Sequence, residues 1–92
     1  MQIIHPGRIL KRELQARKLS ANKLALALRV PSGRITGILN ARRSITPDTA
    51  LRLARFFGTS AQFWMNLQSR YDLAVAERDI GERITKEVTR AA

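Results

Sequence analysis

The run from Ser32 to Asn40 places Ile35, Ile38 and Leu39 at helical spacing among small and polar residues. As a helix it turns Ser32, Gly33, Arg34, Thr36, Gly37 and Asn40 outward. Such a face suits the edges of stacked base pairs. Arg34 has the fork to bond guanine O6 and N7 together. Asn40 suits adenine or a phosphate, and Thr36 a base edge or a thymine methyl. Gly33 and Gly37 each cost about 1 kcal/mol relative to Ala inside a helix. They either let the helix approach a duplex closely or merely loosen it, and close approach is the reading adopted. Ser20, Lys23, Arg42, Arg43 and Ser44 flank the run as candidate phosphate contacts.

Other chemistries lack their parts. The 92 residues hold one histidine and no cysteine, so no thiol nucleophile, disulfide or cysteine-based metal site is available. The carboxylates are scattered, and no nucleophile–base pair, metal-ligand spacing or glycine-rich phosphate loop is present. We therefore expect no enzyme, no cofactor and no metal. His5, next to Pro6, reads as a helix-start residue. No run of 18 apolar residues and no signal-peptide pattern occurs, so the expected location is the cytoplasm.

Charge locates the partner surfaces. The chain carries 17 basic and 7 acidic residues, net +10. All of the excess lies before residue 59: twelve basic side chains there face two acidic ones, Glu13 and Asp48, whereas residues 59–92 hold five of each sign. A polyanion fits the first part. The neutral remainder holds the only Trp and the only Tyr.

The elements that position these groups are all predicted as helices. The first opens at His5-Pro6, with Ile9, Leu10 and Leu14 at helical spacing. The second follows a Ser20 cap over 21–28, with Leu24, Ala25 and Leu28 inward. Arg29-Val30-Pro31 makes a tight turn, and Ser32 is the expected cap of the third. Residues 41–45 form a basic loop. Thr46-Pro47-Asp48 opens a fourth helix with Ala50, Leu51, Leu53, Ala54 and Phe57 inward, closed by Gly58. A fifth, capped by Thr59 and Ser60, runs through Phe63, Leu67 and Ala74. Ile80, Ile84 and Val88 suggest further helix in the tail. The fold class is thus all-α with five or six helices: one domain over 1–78, a helix-turn-helix at 20–40, and a partly helical tail over 79–92.

The chain resembles the Cro/C1-type (XRE) repressors, with a lambda-repressor-like fold, and more narrowly the HigA-type antitoxins of toxin–antitoxin modules. His5-Pro6-Gly7, the run from Thr49 to Ser60, the block from Phe63 to Gln68, and Tyr71-Asp72-Leu73 carry the resemblance. It implies a homodimer that binds a palindromic operator in its own promoter. It also implies neutralisation of a cognate toxin, an RNase that cleaves mRNA on the ribosome. A stand-alone repressor without a toxin is the alternative. Two positions depart from the family pattern: Arg29 and Ala41 stand where glycine is usual, so both must accept the turn geometry without it.

Positions 64, 71 and 75 share a helix face distinct from that of 63, 67 and 74. Two apolar faces on one helix of a small protein call for a partner. Trp64 and Tyr71 are each open to a place in the core, and part of the cluster Trp64, Leu67 and Tyr71 is accordingly the expected dimer or toxin interface. A +10 chain is an odd partner for a basic toxin, so toxin contact is expected on the neutral 59–92 segment, on an apolar patch, or at a local acid such as Glu13.

Overall fold

The structure, a computed structural model, describes residues 2–91. Five helices follow one another: α1 (Pro6–Arg17), α2 (Ala21–Leu28), α3 (Ser32–Leu39), α4 (Pro47–Phe57) and α5 (Ala61–Glu87). No strand occurs among the described residues. The all-α architecture is the one predicted, with the optional sixth helix absorbed into α5.

Local chemistry sets the boundaries. Ser20 Oγ accepts the Lys23 amide at 3.1 Å and Ser60 Oγ the Phe63 amide at 3.0 Å. Thr46 caps α4 through the Thr49 amide, and His5 Nδ1 caps α1 by accepting the Gly7 amide at 2.9 Å. α3 differs from expectation. Pro31 is its N-cap without a side-chain bond, and Ser32 is already helical. Pro31 holds the extended backbone a cap needs, and its carbonyl accepts the Arg34 amide. α1, α2 and α4 each close through a left-handed residue: Lys18, Arg29 and Gly58. The next amide in each case returns to the carbonyl five positions back, which satisfies a helix-end acceptor.

The core gathers Leu10 and Leu14 of α1, Leu24, Ala25 and Leu28 of α2, and Ile35 and Ile38 of α3. Ala50, Leu53 and Phe57 of α4 complete it, together with Ile45 from the basic loop and Trp64 from α5. Two expectations change. Leu51 is 63% exposed, because α4 turns Thr49, Ala50 and Leu53 inward instead. On α5 the buried stripe is Trp64 and Gln68, whereas Phe63 is mostly outside the core. Trp64 takes that register because its ring packs beside Phe57, at 5.8 Å between centroids. Its Nε1 donates to Thr59 Oγ1 at 2.8 Å.

α5 runs unbroken across residue 78 and projects past the bundle, which gives overall extents of 52 × 22 × 22 Å. The projecting turns carry the i,i+4 ion pairs Arg83–Glu87 and Lys86–Glu82, each modest in solvent. No described helix is long and apolar enough to cross a membrane.

Candidate nucleic-acid interface

α3 is seated from two sides. Gly7, in the first turn of α1, lies against the Ile38 carbonyl so closely that a Cβ there would collide with it. α2 packs along the other flank through the turn 29–31, with Arg29 at φ 61°. With Ile35 and Ile38 buried, Ser32, Gly33, Thr36 and Asn40 are exposed and Arg34 is partly exposed. Gly33 has open space around its absent Cβ.

Gly37 also has a role within the fold, beside the expected approach to DNA. A Cβ at Gly37 would meet Cγ and Cδ of Arg43 at 2.8 and 2.7 Å. The Gly37 carbonyl also accepts the amides of Arg42 and Arg43, at 2.8 and 3.1 Å. The glycine therefore seats the basic loop. Thr36 is constrained as well: its hydroxyl bonds back to the Ser32 and Gly33 carbonyls, so its methyl is the freer group for a base.

The loop between α3 and α4 is pinned at both ends. Ala41 takes φ 59°, and Ile45 is driven into the core. The Ile45 amide donates to Gln68 Oε1 at 2.7 Å, and Gln68 Nε2 donates to Asp72 Oδ1 at 2.9 Å. Arg42, Arg43 and Ser44 between these anchors are exposed, as are Ser20 and Lys23 at the start of α2. The predicted phosphate contacts thus lie exposed at the start of α2 and on the loop that follows α3. Arg34, Arg43 and Ser44 also share a hollow of about 280 Å³ with Thr46, Asp48 and Thr49 at the start of α4.

Arg34 is held within that hollow. Its Nη1 donates to Asp48 Oδ1 at 2.6 Å. Arg52 Nε donates to the same oxygen at 2.8 Å, and Arg52 Nη1 donates to the Leu28 carbonyl at 2.9 Å. The hydrogen bonds from Arg52 and then Arg34 pull the Asp48 carboxyl below its ordinary range. From the sequence Asp48 reads only as a helix-start acid. Its bridge to Arg34, 14 residues away, has no local signal.

His5 closes the far side. Burial lowers its pKa, opposed by a hydrogen bond to the Arg43 backbone and by the Asp72 charge. Its ring meets Tyr71 edge-on at 4.8 Å. Gln68 was also missed. Its i+4 spacing from Trp64, within a block that otherwise resembles the antitoxins, was the available signal.

The expected protein interface divides. Trp64 is 1% exposed and belongs to the core, so it is not available to a partner. Leu67 and Tyr71 line an apolar groove of about 490 Å³ with Ile4, Ile9, Leu73 and Ala74. Past the groove, Ile80, Ile84 and Val88 remain exposed along the projecting helix and its end.

Comparison with known proteins gives the family. A family model described as "Helix-turn-helix" matches residues 10–64. The solved structure of an addiction module antidote protein of a HigA family from Coxiella burnetii is 55% identical, with a TM-score of 0.96 over 99% of this chain and 100% of that one. The Pseudomonas aeruginosa antitoxin HigA, solved with the higBA promoter, is 44% identical with a TM-score of 0.96 over 99% and 100% of the two chains. Virulence-associated protein I of Dichelobacter nodosus is 54% identical over 80 residues, which cover 86% of this chain and 74% of that protein.

Proposed function

The chain belongs to the helix-turn-helix family, among its HigA-type antitoxins, and from that premise we propose that it is a dimeric DNA-binding antitoxin. It represses its own operon and neutralises a cognate mRNA-cleaving toxin. The observation that supports the DNA half is the exposed side of α3, followed by a loop that leaves Arg42, Arg43 and Ser44 exposed, with Lys23 exposed at the start of α2. The core-facing residues of α3 fix its rotation, so Arg34 enters the major groove and Asn40 meets a base or phosphate near the helix end. Lys23, Arg42, Arg43 and Ser44 position the helix without reading sequence. As a DNA-binding regulator the protein works by occupancy and needs no reaction.

The exposed Leu67–Tyr71 groove and the apolar residues of the projecting α5 supply the protein-binding half. A two-fold dimer through this neutral region sets two α3 helices about one DNA turn apart, about 34 Å, on a palindrome. The opposite end keeps its positive charge for phosphates.

Titration of the operator duplex across a salt series tests the reading. Lys23, Arg42, Arg43 and some α1 residues of two subunits give roughly 6–10 phosphate contacts. The slope of log K against log salt is then about −5 to −9. A flat response would assign the +10 charge to another partner. Co-expression with the adjacent reading frame, followed by pull-down, tests the toxin. Operator binding without capture of the adjacent gene's product leaves a stand-alone repressor.

A further inference from the structure

We propose that Asp48 is a positioning residue for sequence recognition: it aims Arg34, and Arg52 braces it from behind. The inference rests on the reading of Arg34 as the base reader and adds what fixes its side chain.

An arginine on a short surface helix samples many rotamers. Fixing it on binding costs conformational freedom. Here the guanidinium is held before DNA arrives. Asp48 Oδ1 takes Nη1 at 2.6 Å, while Nε and Nη2 have no acceptor among the described residues. That leaves one edge of the fork for a guanine. Asp48 is itself held. It sits in the first turn of α4, where the helix dipole favours an acid, and Arg52, one turn on, bonds the same oxygen. Arg52 is anchored by the Leu28 carbonyl at the end of α2. The chain Leu28–Arg52–Asp48–Arg34 therefore ties the end of α2, the start of α4 and the reading face of α3 into one relay of directed bonds.

The charge balance argues against mere surface decoration. Asp48 is one of two acids among the first 58 residues, which hold twelve basic side chains. It shares a hollow with Arg43 and Ser44, two candidate phosphate contacts. An acid there repels the phosphate backbone, which raises the cost of binding any sequence. Exposed ion pairs contribute little stability. A negative charge at a DNA-facing edge that stabilises little and opposes non-specific binding is explained by a gain in discrimination.

The test selects preferred sites from a randomised duplex pool for the full-length wild type, Arg34→Ala, Asp48→Asn and the double variant. Affinity for a random-sequence duplex is measured alongside. Arg34→Ala flattens the preference at one base pair per half-site. Asp48→Asn lowers the preference at that same base pair by about threefold or more, while affinity for the random duplex stays level or rises. The double variant loses no more than Arg34→Ala alone, and Asp48→Glu recovers part of the preference. Circular dichroism checks folding, and Arg52→Gln reports on the same relay if Asp48→Asn does not fold. An unchanged preference in Asp48→Asn beside a flattened one in Arg34→Ala overturns the positioning role and spares the reader. A sharper preference in Asp48→Asn also overturns it, since Asp48 would then restrain Arg34. An unchanged preference in Arg34→Ala overturns the reader itself and the inference with it.

Discussion

The Ile45 amide and the Gln68 side chain, 23 residues apart, meet in a buried 2.7 Å hydrogen bond that fastens the basic loop to α5. Backbone groups taken out of water need a partner, and no local carbonyl serves this one. Gln68→Leu leaves the donor buried and unpaired, at a cost of about 1–3 kcal/mol. Thermal unfolding should show the loss. Operator affinity should fall as well, although Gln68 itself is buried, because Arg42, Arg43 and Ser44 lose their fixed register. Unchanged melting and unchanged affinity would show that Ile45 packing alone holds the loop.

Arg34 and Arg42 separate reading from positioning. Arg34→Ala should cost about 1–3 kcal/mol on the specific site and relax the preference at one base pair. Arg42→Ala should weaken all duplexes alike. Competition binding on specific and random DNA measures both. Equal weakening of the two duplexes by both variants would remove Arg34 from the reading face.

Legibility followed how local each cause was. The Ser20, Thr46 and Ser60 caps and the Gly58 stop act within one turn and were visible, as were the inward residues of α2 and α3. The face of α5 was not, because hydrophobicity alone admits either Phe63 or Trp64 inward. The choice depends on Phe57 and Thr59, which only the fold brings together. The role of Gly37 was hidden for a similar reason, since the group that needs its missing side chain is Arg43 from the following loop. The Arg34–Asp48 bond joins two helices and leaves no periodic trace.

Arg29 and Ala41 occupy left-handed backbone at φ 61° and 59° without being glycine. The Cβ of an L-residue crowds the neighbouring carbonyl there, at roughly 1 kcal/mol or more per position. Arg29→Gly and Ala41→Gly should each raise stability by about 0.5–1 kcal/mol, less the greater freedom of glycine in the unfolded chain. Denaturant midpoints read the difference. Lowered midpoints for both would mean that unfolded-state entropy outweighs relief of the strain.

His5 couples stability to pH through its cap. Nδ1 accepts the Gly7 amide only while it carries no proton, and burial favours the neutral ring. The folded pKa lies below the ordinary 6.5, so the unfolded chain binds more protons between the two values. This contribution is complete above about 6.5 and is lost as pH falls through the window beneath it. His5→Asn keeps a capping acceptor without the titration and should flatten stability against pH over that window. An identical slope in the variant would place the titrating group elsewhere.

Leu73 offers the cleanest probe of the dimer. The groove it lines is mostly apolar, with Gln2 and Arg70 also in its wall, and Leu73 is 69% exposed, so the subunit's own core does not use it. Tyr71 is a poorer choice, because its ring also meets His5. Removal of all of α5 would fail for another reason, since it takes Trp64 out of the core and Gln68 from Ile45. Leu73→Glu places two charges together on a two-fold interface while the monomer core stays intact. Sedimentation should show a monomer and circular dichroism an unchanged helix content. A monomer keeps one α3 and half of the contacts, and it loses the effective concentration that joins two half-sites. Operator affinity should drop by about a hundredfold or more, while affinity for a single half-site holds. A Leu73→Glu protein that stays dimeric and binds the operator normally would move the interface off this face and end the division between a DNA-binding first part and a protein-binding second.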